Sequence, residues 1–182
     1  MPKISINLSR RFKIFLLTSG IVILIDHITK WIVRTRMYPN QTIKVIDDFF
    51  TITFIYNTGI AFGIFNKNNS PAKIPILIAI SIVALAVIMY IFISLPKNIK
   101  LSGLSMGLIF GGAIGNIIDR IVHGKVVDFF DFDFFDINIP KLGIHMTRFA
   151  TFNVADTSVF IGIIMLFIII LIYGGKTEEP AD

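Results

Sequence analysis

Two stretches of the chain concentrate the residues best suited to moving protons. VVDFFDFDFFD, residues 126–136, sets four aspartates among five phenylalanines, and FNVADTSVF carries Asn153 and Asp156 at the start of a long apolar run. Only twelve Asp and Glu occur in 182 residues, so a third of all the acid sits in the first segment. Two carboxylates held close together cannot both ionise cheaply. They share a proton, which leaves one as a base to activate water and the other as an acid to protonate a leaving group. Asp128 and Asp156 are the pair that topology can bring together. The plainer reading of Asp156 alone is an acid that favours a helix N-terminus electrostatically.

The elements that must position this pair are membrane helices. Hydrophobic residues make up 54% of the chain, mean hydropathy is +0.79 and charged residues are only 16%, against roughly 25% in ordinary soluble domains. Apolar runs at about 14–33, 74–95, 101–122 and 154–173 are each long enough to cross a hydrocarbon layer of about 30 Å. The connections 35–73 and 123–152 are too short to bury cores of their own, so residues 1–182 read as a single integral-membrane domain. The first run follows basic residues but is long and contains Asp26 and Lys30, which favours a retained helix over a cleaved leader. Cysteine is absent, excluding disulfides and thiolate chemistry.

Flanking charge suggests the orientation. The N-terminal MPKISINLSRRFK holds four basic residues and no acid, and the short PKNIK connection adds Lys97 and Lys100. The positive-inside rule puts both in the cytoplasm. Four spans then return the C-terminus to the cytoplasm and place 35–73 and 123–152 on the outer side. Asp128 leaves the outer end of span three and Asp156 enters at the outer end of span four. The basic balance of +5 is therefore topological, and without clustered basic and aromatic residues it is no nucleic-acid signal.

Other polar residues in or beside the spans need reasons, because each costs about 2.5–3.5 kcal/mol at the membrane centre. Asp26 and Lys30, four apart with the acid first, suit a neutralised intrahelical pair that steadies packing. Gly103, Gly107, Gly111 and Gly115 make a smooth stripe for a close helix neighbour. On the adjoining stripe Gly112, Asn116 and Arg120 recur every fourth residue, with Asp119 alongside. That row is either a helix end meeting headgroups or a polar lining that opens onto a substrate, and spacing alone does not choose. TITFIYNTG, in the outer loop, reads as strand then turn, with Asn57 as a turn residue. His27, His123 and His145 have no spacing that gathers them into a ligand set.

Four segments together carry a resemblance. GGAIGNIIDRIVHGKVVDFFDF and FATFNVADTSVF resemble the two most diagnostic motifs of the lipoprotein signal peptidases (signal peptidase II), and LIDHITKWIV and YNTGIAFGIF are similar to the other two. The resemblance implies a bacterial inner-membrane aspartic endopeptidase that removes the signal peptide of a diacylglyceryl-modified prolipoprotein by cutting before the lipidated cysteine. It implies no metal or other cofactor, contact with membrane lipids, and inhibition by the cyclic peptide globomycin. Asp128 and Asp156 match the catalytic dyad. Asn57, Gly112, Asn116, Arg120 and Asn153 match substrate-binding or site-lining positions, and Asp26 and Lys30 match a supporting pair. The implied fold is an all-α membrane protein of four transmembrane helices with a small outer β-sheet cradle and a short outer helix. The insert FFDFDFFDINIPKLGIHMTRFAT between the dyad positions looks longer than the family usually carries.

A small ion- or proton-coupled transporter is the rival reading, since membrane Asp, Arg and Asn also line ion paths. Against it, the acids gather at one face and span two carries no charge within it. Within VVDFFDFDFFD, only Asp128 is expected to be catalytic. Asp131, Asp133 and Asp136 are expected to face water while the phenylalanines dip into the interface, as in an amphipathic lid.

Overall fold

A computed structural model of the chain describes residues 9–59, 72–95, 98–133, 137–139, 144–146 and 150–173. Four helices in it are long and apolar enough to cross a membrane: α1 (Arg10–Arg36), α2 (Lys73–Ser94), α3 (Lys100–His123) and α4 (Val154–Tyr173). The ends of α1 and α3 run a few residues past their apolar runs, because the basic side chains there can sit at the interface while the backbone keeps its helical hydrogen bonds.

The central helix is α3, which packs on each of the other three. Its glycine stripe is the reason. A Cβ at Gly115 would lie 2.7 Å from Asp26 Oδ2, one at Gly111 would meet Ser19 and Val22 at 2.8 Å, and one at Gly103 would collide with the Arg11 carbonyl. Read in order, these contacts make α1 and α3 parallel. The buried row of α1, from Arg11 through Phe15, Ser19, Val22, Asp26 and Lys30 to Val33, lies against that smooth face. On the next stripe Gly112 meets the backbone of Ala155 and Gly162 meets Ser105 and Ile109, so α4 is antiparallel and equally close. Helix α2 buries only Leu77, Leu85 and Phe92, leaving most of its apolar surface for lipid. At the far end of the bundle Arg11 donates to the Leu95 carbonyl at 2.7 Å and lies 4.4 Å from the Phe92 ring, which clips the end of α2 to α1.

A three-stranded antiparallel sheet, ordered β1 (Thr42–Ile46), β2 (Phe50–Asn57) and β3 (Val126–Phe132), caps one end of the helices. Val33 and Met37 of α1 pack there with Phe54, Val127 and Phe129. Gly124, at φ +67°, ends α3 with its N–H on the Arg120 carbonyl at 3.0 Å, the left-handed cap that glycine adopts without strain. Two residues later β3 begins, so Asp128 is held close to the end of α3. In β2, pairing shifts between Ile52 (opposite Phe130) and Ile55 (opposite Asp128), which leaves one extra residue in β2. That bulge reverses the alternation of side chains. Thr51 falls on the face of Asp131, whereas Asn57 falls on the face of Asp128.

A second pair, β4 (Ile137–Ile139) with β5 (Ile144–Met146), forms a hairpin inside the insert. Among the described residues there is no short outer helix. Asp136 and the side chain of His145 lie outside them.

Candidate active site

Asn153 stands at the centre of the site. It precedes α4, its side chain is fully buried, and its Oδ1 accepts from the backbone N–H of Asp156 at 2.9 Å. In return Asp156 Oδ2 accepts from the backbone N–H of Asn153 at 3.2 Å. This reciprocal capping pairs two donors that a helix N-terminus would otherwise leave unpaired. The amide of the same side chain donates to Asp128 Oδ1 at 2.7 Å, with the Val127 carbonyl and Asn116 Oδ1 each at 3.3 Å. One residue thus contacts both carboxylates that the sequence pairs.

The remaining oxygens are also occupied. Asp128 Oδ2 accepts from Asn57 Nδ2 at 2.8 Å, and Asn57 Oδ1 accepts from the Gly59 N–H at 2.8 Å. Asn57 is therefore both the turn residue its neighbours suggested and a ligand of Asp128. Asp156 Oδ1 accepts from Asn116 Nδ2 at 2.8 Å. Arg120, one turn beyond Asn116, donates to the Asn116 carbonyl at 3.4 Å and to the Gly59 carbonyl at 3.3 Å, tying the turn after β2 to α3. Gly112 offers no side chain to these contacts and lies against the Ala155 carbonyl. It sits where α3 meets the Ala155 backbone, and its lack of a side chain lets α4 come close enough for Asp156 to reach Asn116.

Asp128 is 2% exposed, and Asp156 is half-buried. Burial, then the charge of Asp156, pushes Asp128 up to about 7, while the amides of Asn57 and Asn153 and the Lys30 charge pull the other way. A carboxyl group that titrates near neutrality can hold or give up a proton under working conditions.

Below the pair lies a buried ionic network. Lys30 is fully buried and its Nζ lies 2.7 Å from Asp26 Oδ2, 2.8 Å from Asn116 Oδ1 and 2.9 Å from Asp119 Oδ2. Asp26 Oδ1 accepts from the Ala155 N–H at 3.0 Å, so one carboxylate joins α1 to the first turn of α4. Asp119 Oδ1 accepts from Arg34 at 3.0 Å, and Arg34 Nη1 lies 2.9 Å from His123 Nε2. The Asp26–Lys30 pair is thus more than intrahelical. Asp119 does not meet headgroups but is fully buried between two cations. Sequence reasoning passed over Arg34 and His123. The four-residue rows Asp26, Lys30, Arg34 on α1 and Asp119, His123 on α3 were the available signal.

The expectation that Asp131 faces water is corrected. It is 5% exposed and its Oδ2 accepts from Thr53 Oγ1 at 2.9 Å and Thr51 Oγ1 at 3.2 Å. Strand β3 continues through Phe132, so these residues belong to a packed sheet, and the β2 threonines provide the carboxylate with partners. Asp133 is half-buried just after β3, with its N–H on the Phe49 carbonyl at 2.9 Å. Among the described residues no group of three or more His, Asp or Glu is arranged to hold a metal ion.

Comparison with known proteins agrees with this architecture. Residues 18–172 match the family described as signal peptidase (SPase) II. The lipoprotein signal peptidase of Moorella thermoacetica is 34% identical over 167 residues, covering 91% of this chain and 99% of that protein. That of Bacillus pumilus is 36% identical over 159 residues, covering 87% and 93%. A bacterial membrane enzyme structure solved in meso superposes with a TM-score of 0.70 at 33% identity, covering 92% of this chain and 94% of that one. With four membrane-spanning helices, a capping sheet and a match across most of its length, the chain belongs to the signal peptidase II family of multi-pass membrane peptidases.

Proposed function

We propose that the protein is an aspartic endopeptidase that removes the signal peptide from diacylglyceryl-modified prolipoproteins, cleaving before the lipidated cysteine. The observation that carries this reading is the bridge from Asn153 to both carboxylates, 2.7 Å to Asp128 Oδ1 and 3.2 Å to Asp156 Oδ2. Residues 1–182 act as one membrane domain with both termini in the cytoplasm. The sheet end then faces the outer side of a bacterial inner membrane. The signal helix lies in the bilayer against the bundle, and membrane lipid surrounds both. One carboxylate takes a proton from water, the water attacks the scissile carbonyl, the other carboxyl protonates the oxyanion, and on collapse the proton taken from water passes to the departing amine. Asn57, Asn116 and Asn153 fix the dyad. Arg120 has donors beyond its two long carbonyl contacts with which to hold substrate carbonyls. Asp26 and Lys30 support the site from below.

The transporter reading requires membrane charges that exchange with passing ions. Lys30, Asp26 and Asp119 are instead fully buried and mutually compensated, which speaks against it.

The test is incubation of the purified protein in lipid with a diacylated prolipoprotein, with and without globomycin. A shortened product that disappears at saturating inhibitor is the expected result. Ion flux without cleavage would replace the reading with transport, and cleavage insensitive to globomycin would place the reaction at a different site.

A further inference from the structure

The two carboxylates sit in unlike surroundings, and the difference assigns them separate tasks. Asp156 occupies the first turn of α4, where the positive end of the helix dipole favours an anion. Its Oδ2 accepts from a fixed backbone N–H, that of Asn153, and its Oδ1 from Asn116 Nδ2. The Asn116 amide is itself polarised, because Lys30 donates to its Oδ1 at 2.8 Å. A cation at one end of an amide strengthens the donor at the other. By surface area Asp156 is only half-buried, whereas Asp128 is buried.

Asp128 has none of these advantages. It lies in a strand, where there is no comparable dipole. Its direct partners are the neutral amides of Asn57 and Asn153. It is buried beneath the sheet, and burial favours the neutral acid. The other charged groups around the pair come from α1 and α3. Lys30 is matched by Asp26 and Asp119, and Arg120 faces the site from the end of α3.

We infer that Asp128 carries the proton shared by the dyad and serves as the acid toward the carbonyl oxygen, while Asp156 is the resting carboxylate that takes the proton from the attacking water. This rests on the aspartic-dyad reading and adds a direction to it. In the first step a water O–H bond breaks, its proton passes to Asp156, and the new C–O bond forms as Asp128 delivers its proton to the carbonyl oxygen. Collapse of that intermediate breaks the C–N bond as Asp156 passes the water-derived proton to the amine and a hydroxyl of the intermediate returns its proton to Asp128, so the pair again holds one proton. The titration of Asp128 near neutrality agrees with an acid that is still loaded at working pH.

Two measurements test the assignment. In the first, the wild-type protein in lipid is treated separately with an epoxide, which an ionised carboxylate opens, and with a diazoacetyl ester, which esterifies a protonated carboxyl group, and the labelled residues are mapped by mass spectrometry. The expected result is epoxide label on Asp156 and diazoacetyl label on Asp128, and the exchanged pattern would overturn the assignment. In the second, infrared difference spectra are recorded at mildly acidic pH. Wild type minus Asp128→Asn should show a protonated-carboxyl band, and wild type minus Asp156→Asn a carboxylate band. Reversal of these, or no protonated band assignable to Asp128, defeats the inference even where labelling is incomplete. If neither variant loses cleavage, the dyad reading fails first. If both are inactive and the spectra are reversed, only the division of roles fails.

Discussion

Asn153 Nδ2 lies 2.7 Å from Asp128 Oδ1 while Asn153 Oδ1 holds the backbone N–H of Asp156 at 2.9 Å, so one rigid amide ties the Asp128 carboxylate to the turn of α4 that carries Asp156. Serine also caps helices but cannot extend a second arm. Asn153→Ser is therefore expected to keep the cap, changing the melting temperature little, while cleavage falls roughly 10- to 100-fold, the equivalent of about 1.5–3 kcal/mol for a buried polar group left without its partner. Asn153→Ala should lose about a further 1 kcal/mol of stability with the cap. Cleavage rate and thermal unfolding, measured on the same preparations, separate the two effects.

Asp128→Asn and Asp156→Asn retain size but remove the titrating proton, and product formation by either is expected to fall to background in a correctly folded protein. Asp133→Asn should cleave normally. Asp131→Asn should also retain activity yet unfold more easily, by about 1–3 kcal/mol, because Thr51 and Thr53 lose their charged acceptor. Gel assays of the four purified variants, with thermal unfolding alongside, check this. A dead but fully stable Asp131→Asn would show that the wrong acid of β3 was chosen.

Among the described residues Lys30 is the one cation that touches Asp26, Asn116 and Asp119 together. Lys30→Met keeps the bulk, leaves the buried Asp26 without its cation and leaves Asp119 with Arg34 alone, so it should cost about 3–5 kcal/mol. Unfolding monitored in detergent reads the loss directly. A variant as stable as wild type would mean that the network is not buried as described.

Gly112 leaves no space for a side chain beside the Ala155 backbone. Gly112→Ala should push α4 away from α3, costing about 1–3 kcal/mol as overpacking does and impairing cleavage through Asp156. Gly124→Ala faces open space, so its cost should come from the left-handed φ of +67° alone and leave cleavage intact. Parallel melting curves and cleavage assays on the two variants test the contrast.

Asp128 titrates near 7 in the folded protein, well above an ordinary aspartate. The folded state therefore binds more protons than the unfolded chain between roughly pH 4 and pH 7, and stability on this account declines as pH rises through that window. Activity should decline on the same alkaline limb, as the acid loses its proton. A kcat/KM profile with its upper limb near 7, absent from the pH profile of substrate binding by Asp128→Asn, is the expected outcome.

Much of this architecture was legible because membranes force simple patterns. The four apolar runs, the glycine stripe for a close neighbour and the strand and turn around Asn57 follow from period and composition, and the family motifs marked Asp128 and Asp156. The ionic network under the site was not legible. Asp119 and Arg34 are far apart in sequence, and nothing at either position records that α1 and α3 run parallel and in contact. Asp131 misled for a related reason. Alternating acid and phenylalanine looks the same in an amphipathic lid and in a strand whose partner offers hydroxyls, and only the pairing with Thr51 and Thr53 distinguishes them.

The extra residue in β2 between Ile52 and Ile55 gives chain length a meaning that residue identity does not capture. Were the same residues paired regularly from Ile52 with no bulge, every side chain beyond the gap would change faces, and Asn57 would turn to the face of Asp131 and leave Asp128 without that partner. A lineage can therefore exchange many of the hydrophobic residues of this strand, yet an in-frame insertion of a single codon between the bulge and Asn57 would turn Asn57 away from Asp128 while preserving every residue of the site. Heritable tolerance along β2 is asymmetric: permissive to spelling and strict about added length.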